Sequence, residues 1–199
     1  MAESTQFNFS RMRLILWIIV ILAGVAVSVV YMTRPPAPRI GHPFTLSSTE
    51  GGTFTDADLK GTPTLMYFGY TFCPDVCPTT LAALTGWRTQ LGLGPDKLRI
   101  VMVTVDPGRD TLDSLRTYLT GFGSPIIGLR GTDAETEQAK KVFGVYSEKV
   151  NAAGASDYLV NHTASVFVMD KDGNFASTID YNEPADTAKG KIERVVSGS

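Results

Sequence analysis

Few residues in this 199-residue chain can bind a metal through a thiolate or an imidazole: Cys73 and Cys77 are its only cysteines, His42 and His162 its only histidines. Concentrated positive charge is missing too, with net charge -2, pI near 5.7 and no basic cluster beyond Lys140-Lys141. That excludes the electrostatic footprint of a nucleic-acid binder. Internal repeats and extended low-complexity segments are absent. At 43% apolar residues the chain can bury one good core and is too short for two large domains.

Charge is also missing from one long stretch. Between Arg13 and Arg34 lie twenty uncharged residues, Leu14 to Thr33, which as a helix would span roughly 30 Å, the thickness of a bilayer's hydrocarbon core. Trp17 and Tyr31 stand near its ends, where aromatic rings favour the interface. Ala26-Val27-Ser28 offers a cleavage site, but the apolar run continues past it, which favours a retained anchor over a signal peptide. No cysteine stands at the end of the span, which excludes a lipid-linked cysteine there. Arg11 and Arg13 balance Arg34 and Arg39, so orientation rests on the ease of leaving a thirteen-residue tail inside. The expected layout is a cytoplasmic tail over 1–13, a transmembrane anchor over 14–33, a stiff Pro-rich linker over 34–40 and a domain over 41–199, placed where thiols tend to oxidise.

Within the domain, Phe44-Thr45-Leu46 and Gly51 to Phe54 predict a hairpin. Thr64 to Tyr70 and Leu98 to Val105 read as strands buried on both faces. A helix is expected over Thr79–Leu91, with Pro78 at its first position and Cys77 at its N-cap. A second is expected from Thr111, capped by Asp110. Thr132-Asp133-Ala134-Glu135 is a capping box opening a helix to Phe143. A short strand at Pro125–Leu129, a strand at Val145–Lys149, a polar loop to Asp157, strands at Thr163–Asp170 and Phe175–Asp180 around the turn Lys171–Asn174, and a helix after Pro184 complete the order. Alternating strands and helices ending in a hairpin and helix describe an α/β domain, a central mixed sheet flanked by helices. Functional groups then belong past the C-terminal ends of the two long strands, where Cys73-Cys77 and Asp106-Asp110 fall.

C-x-x-x-C spacing serves either a disulfide or a shared metal ion, and both uses need thiolates, which a helix N-terminus favours. His42 reads as a surface residue. His162, just ahead of a buried strand, is either a core histidine satisfied by backbone or a third ligand facing the cysteines. Two sulfurs and one imidazole with an open position would suit copper, especially Cu(I). Asp106 to Asp110 reads as turn, cap and local ion pair, Asp75 as a loop-shaping residue or a nearby charge, and the aromatic residues from 67 to 72 as core and site wall.

Three motifs in order carry a family resemblance: Tyr67-x-Gly69-Tyr70-Thr71-x-Cys73-Pro74-Asp75-x-Cys77-Pro78, Val103-x-Val105-Asp106-Pro107-x-Arg109-Asp110-Thr111, and Asn161-His162-Thr163. Together they resemble the SCO/SenC family of membrane-anchored copper chaperones for cytochrome c oxidase, over about Pro43 to the C-terminus. The resemblance implies a thioredoxin-like fold with Cys73, Cys77 and His162 as copper ligands. It implies a carrier, not an enzyme, that passes copper to the CuA centre of oxidase subunit II. The alternative is a thiol-disulfide oxidoreductase acting on that subunit or another extracytoplasmic partner. An upstream periplasmic copper donor and a thioredoxin-like reductant are the further partners it implies. A generic thioredoxin has a cis-proline ahead of its terminal hairpin. Here no proline lies between Pro125 and Pro184, and His162 stands in that region instead. The short tail, without an Arg/Ser-rich presequence, favours a bacterial inner membrane with the domain in the periplasm over a mitochondrial inner membrane.

Overall fold

The computed structural model describes residues 9–33, 40–151 and 158–198. The expected linker and the loop before Asp157 lie almost wholly outside these residues, as does the start of the tail. The chain divides into two units, Met1–Ala37 and Pro38–Ser199.

The first unit contains helix α1, Phe9–Thr33, which starts ahead of the expected anchor. Its stretch Met12–Val30 has a mean hydropathy of 2.6 and is long and apolar enough to cross a bilayer. Apolar side chains stand exposed all around it, as a membrane span requires.

In the second unit, seven strands form a mixed sheet: β1 (Thr45–Ser48), β2 (Thr53–Thr55), β3 (Thr64–Gly69), β4 (Arg99–Thr104), β5 (Ile127–Arg130), β8 (Val166–Met169) and β9 (Phe175–Ile179), in the order β2-β1-β5-β4-β3-β8-β9. β3 runs parallel to β4 and antiparallel to β8, and every one of its residues is buried. A strand covered on both faces must be apolar throughout, which is why Leu65-Met66-Tyr67-Phe68 shows no alternation. Helices α2 (Val76–Gln90), α3 (Leu112–Thr120), α4 (Asp133–Phe143) and α5 (Ala185–Ser197) flank the sheet; α3 packs on β5, α4 on β1, and α5 on β8 and β9. Fully buried Leu65, Leu81, Leu84, Met102 and Val168 lie in the core around the central strands.

Local signals set the helix ends. Thr132 and Glu135 close the expected capping box, with Thr132 N–H donating to Glu135 Oε2 at 2.7 Å. Three expectations shift. α2 begins at Val76, with Asp75 at its N-cap, so Cys77 lies inside the first turn and Pro78 third in the helix. Proline is tolerated there because first-turn N–H groups have no intrahelical acceptor. α3 is capped by Thr111, whose Oγ1 accepts from Ser114 N–H at 3.0 Å, not by Asp110. His42 is no plain surface residue: its Nδ1 meets Asp56 at 3.0 Å and its Nε2 the Gly173 carbonyl at 2.9 Å, joining the β1-β2 region to the β8-β9 turn.

Ahead of β8 stands a hairpin outside the main sheet, β6 (Ser147–Asn151) paired antiparallel with β7 (Tyr158–His162). His162 therefore ends a strand of its own instead of simply preceding β8.

Candidate metal centre

β3 ends at Gly69, and the chain then leaves the C-terminal end of this central strand through Tyr70–Asp75 into α2. This places Cys73 half-buried in the loop and Cys77 fully buried beneath it. Cys73 Sγ accepts from the Cys77 N–H at 3.4 Å, so the first sulfur takes up one of the backbone donors that every helix start leaves without a partner. The Gly69 position keeps the second sulfur close to the strand: a Cβ there would stand 2.8 Å from Tyr67 Cε1 and 3.0 Å from Cys77 Sγ. Glycine inside a buried strand signals such a close approach.

His162 comes in from β7. Its Nε2 stands 3.4 Å from Cys77 Sγ, while Nδ1 lies 3.0 Å from the Thr163 carbonyl oxygen. A carbonyl only accepts, so in the neutral ring Nδ1 carries the proton and Nε2 presents its lone pair to the sulfurs. Tyr67 and Tyr70 hold the imidazole edge-on, with centroids 6.0 and 5.9 Å away. The ligand atoms of Cys73, Cys77 and His162 all lie within 4.8 Å of one another. Three donors about 2.2 Å from one ion stand about 3.8 Å apart in a trigonal arrangement, so a small contraction closes the set around a metal. Two thiolates and an imidazole are soft to borderline donors.

The sulfurs differ electrostatically. A hydrogen bond from the Cys77 thiol, helped by the N–H groups of Cys77 and Asp75, brings Cys73 down to about 4 against the opposing effect of burial. Cys77 is pushed far up, first by its bond to Cys73 and then by burial. In the metal-free pair, negative charge is favoured on Cys73, the more accessible sulfur.

The Asp106–Asp110 segment fastens the site, a role its turn-like pattern concealed. Buried Asp110 accepts from the Thr71 N–H at 3.1 Å, Thr71 Oγ1 at 2.6 Å and Thr104 Oγ1 at 2.6 Å, tying the cysteine loop to the end of β4. Buried Asp106 accepts from Tyr158 Oη at 2.8 Å and pairs with Arg109. Arg109 also donates to the Tyr158 carbonyl at 2.9 Å, and its guanidinium lies 3.7 Å from the Tyr158 ring centroid and 4.7 Å from that of Phe72. Tyr70 Oη accepts from the Val160 N–H at 3.1 Å. One segment thus grips both the cysteine loop and the histidine hairpin. Asp75 is exposed, and its backbone N–H, not its carboxylate, bears on Cys73.

Residues 32–197 match the sequence profile of the SCO1/SenC family. The mitochondrial proteins SCO1 and SCO2 of Saccharomyces cerevisiae are 36% and 35% identical over 157 and 160 residues, 78% and 79% of this chain. The chain spans about half of each, 53%. Bradyrhizobium japonicum ScoI, solved with copper bound, superposes with a TM-score of 0.71 at 38% identity, covering 78% of this chain and 99% of that one. Yeast Sco1 with copper bound gives 0.71 at 35% identity, over 81% and 91%. These likenesses fit the thioredoxin-like layout expected of the domain. With a family match running through the sheet, the cysteine loop and the histidine hairpin, the chain belongs to the SCO1/SenC family.

Proposed function

We propose that the chain is a copper carrier, held by α1 in a bacterial inner membrane with its domain in the periplasm, that delivers copper to the CuA centre on cytochrome c oxidase subunit II. The observation that carries this is the convergence of Cys73 Sγ, Cys77 Sγ and His162 Nε2 within 4.8 Å. The copper-bound relatives and the yeast proteins' family support it. Cys73 meets the ion as a thiolate, Cys77 gives up its proton to solvent on binding, and His162 offers Nε2 while Thr163 fixes its tautomer. Cys73, the less buried sulfur, is the one an incoming partner thiolate reaches first, so release by ligand exchange starts on that side. A periplasmic copper donor upstream and a thioredoxin-like reductant that keeps the pair open complete the cycle.

Copper stoichiometry and absorption spectra of the reduced full chain in detergent test this. The parent takes up about one ion per chain, and replacing Cys73, Cys77 or His162 by Ala lowers affinity by at least about 100-fold. A His162→Ala protein that binds copper as tightly as the parent removes that residue from the ligand set.

The second reading, reduction of a partner disulfide, is favoured by the unequal sulfurs. Cys73 thiolate attacks one partner sulfur and releases the other as thiolate; deprotonated Cys77 then attacks Cys73, closing Cys73–Cys77 and freeing the second partner sulfur. Two electrons pass from this pair to the partner. The lowered pKa of Cys73 means that its thiolate persists above about 4 and is lost as pH falls through that value. Iodoacetamide should therefore label Cys73 of the reduced, metal-free chain at mildly acidic pH, with Cys77 protected. Labelling of Cys73 that rises only toward the ordinary thiol range of about 8.5 takes away the nucleophile this reading needs.

A further inference from the structure

Tyr67, fully buried within β3, has a hydroxyl oxygen with no hydrogen-bond partner of good geometry among the described residues. Buried phenols almost always find a partner, because leaving the hydroxyl unpaired costs its full desolvation. Its ring edge and Cys77 Sγ meet across Gly69, 2.8 and 3.0 Å from the place a Cβ would occupy, and the His162 ring stands edge-on at 6.0 Å. The polar side chains beside the hydroxyl are those of Cys77 and Thr80. Thr80 already donates its own proton to the Val76 carbonyl at 2.8 Å. A phenol keeps its proton through the neutral range, so here it acts as a donor. A thiol sulfur accepts hydrogen bonds weakly; a metal-bound thiolate accepts them well.

We propose that the Tyr67 hydroxyl donates a hydrogen bond to the Cys77 sulfur in the copper-loaded protein, as a positioning residue that acts through Cys77. This rests on the copper reading above. A donor aimed at a ligating sulfur withdraws electron density from it. The sulfur carries more negative charge opposite Cu(I) than opposite Cu(II), so the bond favours Cu(I). Tyr67 is thus a selector of the oxidation state carried, and Gly69 leaves the room for its ring and the sulfur to meet.

Tyr67→Phe, made in the full chain in detergent, removes the donor and keeps the ring. The expected results are a sulfur-to-Cu(II) charge-transfer band at lower energy and a ratio of Cu(II) to Cu(I) affinity, measured with a competing chelator for each ion, shifted about tenfold toward Cu(II). Far-UV circular dichroism should not change. Thr80→Ala should leave both quantities within about twofold of the parent, since its hydroxyl is not the donor to sulfur. A Tyr67→Phe band and ratio equal to the parent's overturn the inference, and so does an equal shift in Thr80→Ala. Should Tyr67→Phe fail to fold, the parent decides: after full exchange into deuterated solvent its copper–sulfur stretching frequencies should move, and unchanged frequencies overturn the inference. A parent that takes up no copper overturns the copper reading and this inference together, whereas a loaded parent matched by its variant overturns this inference alone.

Discussion

β3, its loop and the first turn of α2 hold Cys73 and Cys77 by burial, whereas the β6-β7 hairpin holds His162 by polar ties. Every residue of β3 is buried, and strands pair with it on both sides. In the hairpin only Val160 is buried among the ten strand residues. What fixes the hairpin is a set of directed bonds: Asp106 and Arg109 to Tyr158, Tyr70 to Val160, and Tyr146 to Thr163 on either side. Burial acts through the whole fold, so an error in the cysteine platform is felt globally. Directed bonds between a few groups can open locally at lower cost. The three candidate ligands are therefore divided between a rigid part and an arm that can yield, a division that suits the hand-over of an ion proposed above.

The comparison breaks first, and with the largest effect, at Asp110. Asp110→Ala leaves the Thr71 N–H and the hydroxyls of Thr71 and Thr104 without their acceptor. A loss of about 3–5 kcal/mol is expected, read as a fall in Tm of about 10 °C; an unchanged Tm would show that burial alone holds the platform. Gly69→Ala comes next. Its methyl must displace Tyr67 or Cys77, so about 1–3 kcal/mol of overpacking is expected, together with weaker copper uptake in a chelator competition. Arg109→Lys tests the arm. Lysine keeps the charge beside Asp106 but lacks the planar fork that also reaches the Tyr158 carbonyl. Amide exchange in Tyr158–His162 should accelerate about tenfold while β3 and β4 keep their rates, and copper affinity should fall by up to about tenfold as His162 is held less firmly.

How much could be seen beforehand follows the same division. β3, β4, the Thr132–Glu135 box and the Lys171–Asn174 turn were legible because their causes are local: continuous apolar runs, a residue pair three apart, a glycine at positive φ. The three converging residues were legible from their chemistry and from the motifs around them. β7 was not anticipated as a strand, because Tyr158-Leu159-Val160-Asn161-His162 buries only one side chain and is held by Asp106 and Arg109, some fifty positions away. Asp110 reads from the sequence as a helix cap because a carboxylate ahead of a helix usually is one, whereas its real partner, Thr71, lies 39 positions back. Tyr67 reads from the sequence as site wall; that its hydroxyl finds no partner of good geometry among the described residues is a property of packing no spacing reveals.

The smallest expected effect is the sharpest test of whether the hairpin is a separable unit. Tyr158→Phe keeps the ring against Arg109 and Lys149 and deletes only the hydroxyl that donates to buried Asp106 at 2.8 Å. Asp106 retains its ion pair with Arg109, so the cost is about 1 kcal/mol, a several-fold rise in local opening. If the hairpin opens by itself, amide exchange rises in Ser147–Asn151 and Tyr158–His162 and nowhere in β3, β4 or β8. Should β3 and β4 accelerate in step, the hairpin and the platform unfold as one, and the division between burial and tethering does not describe how the site moves.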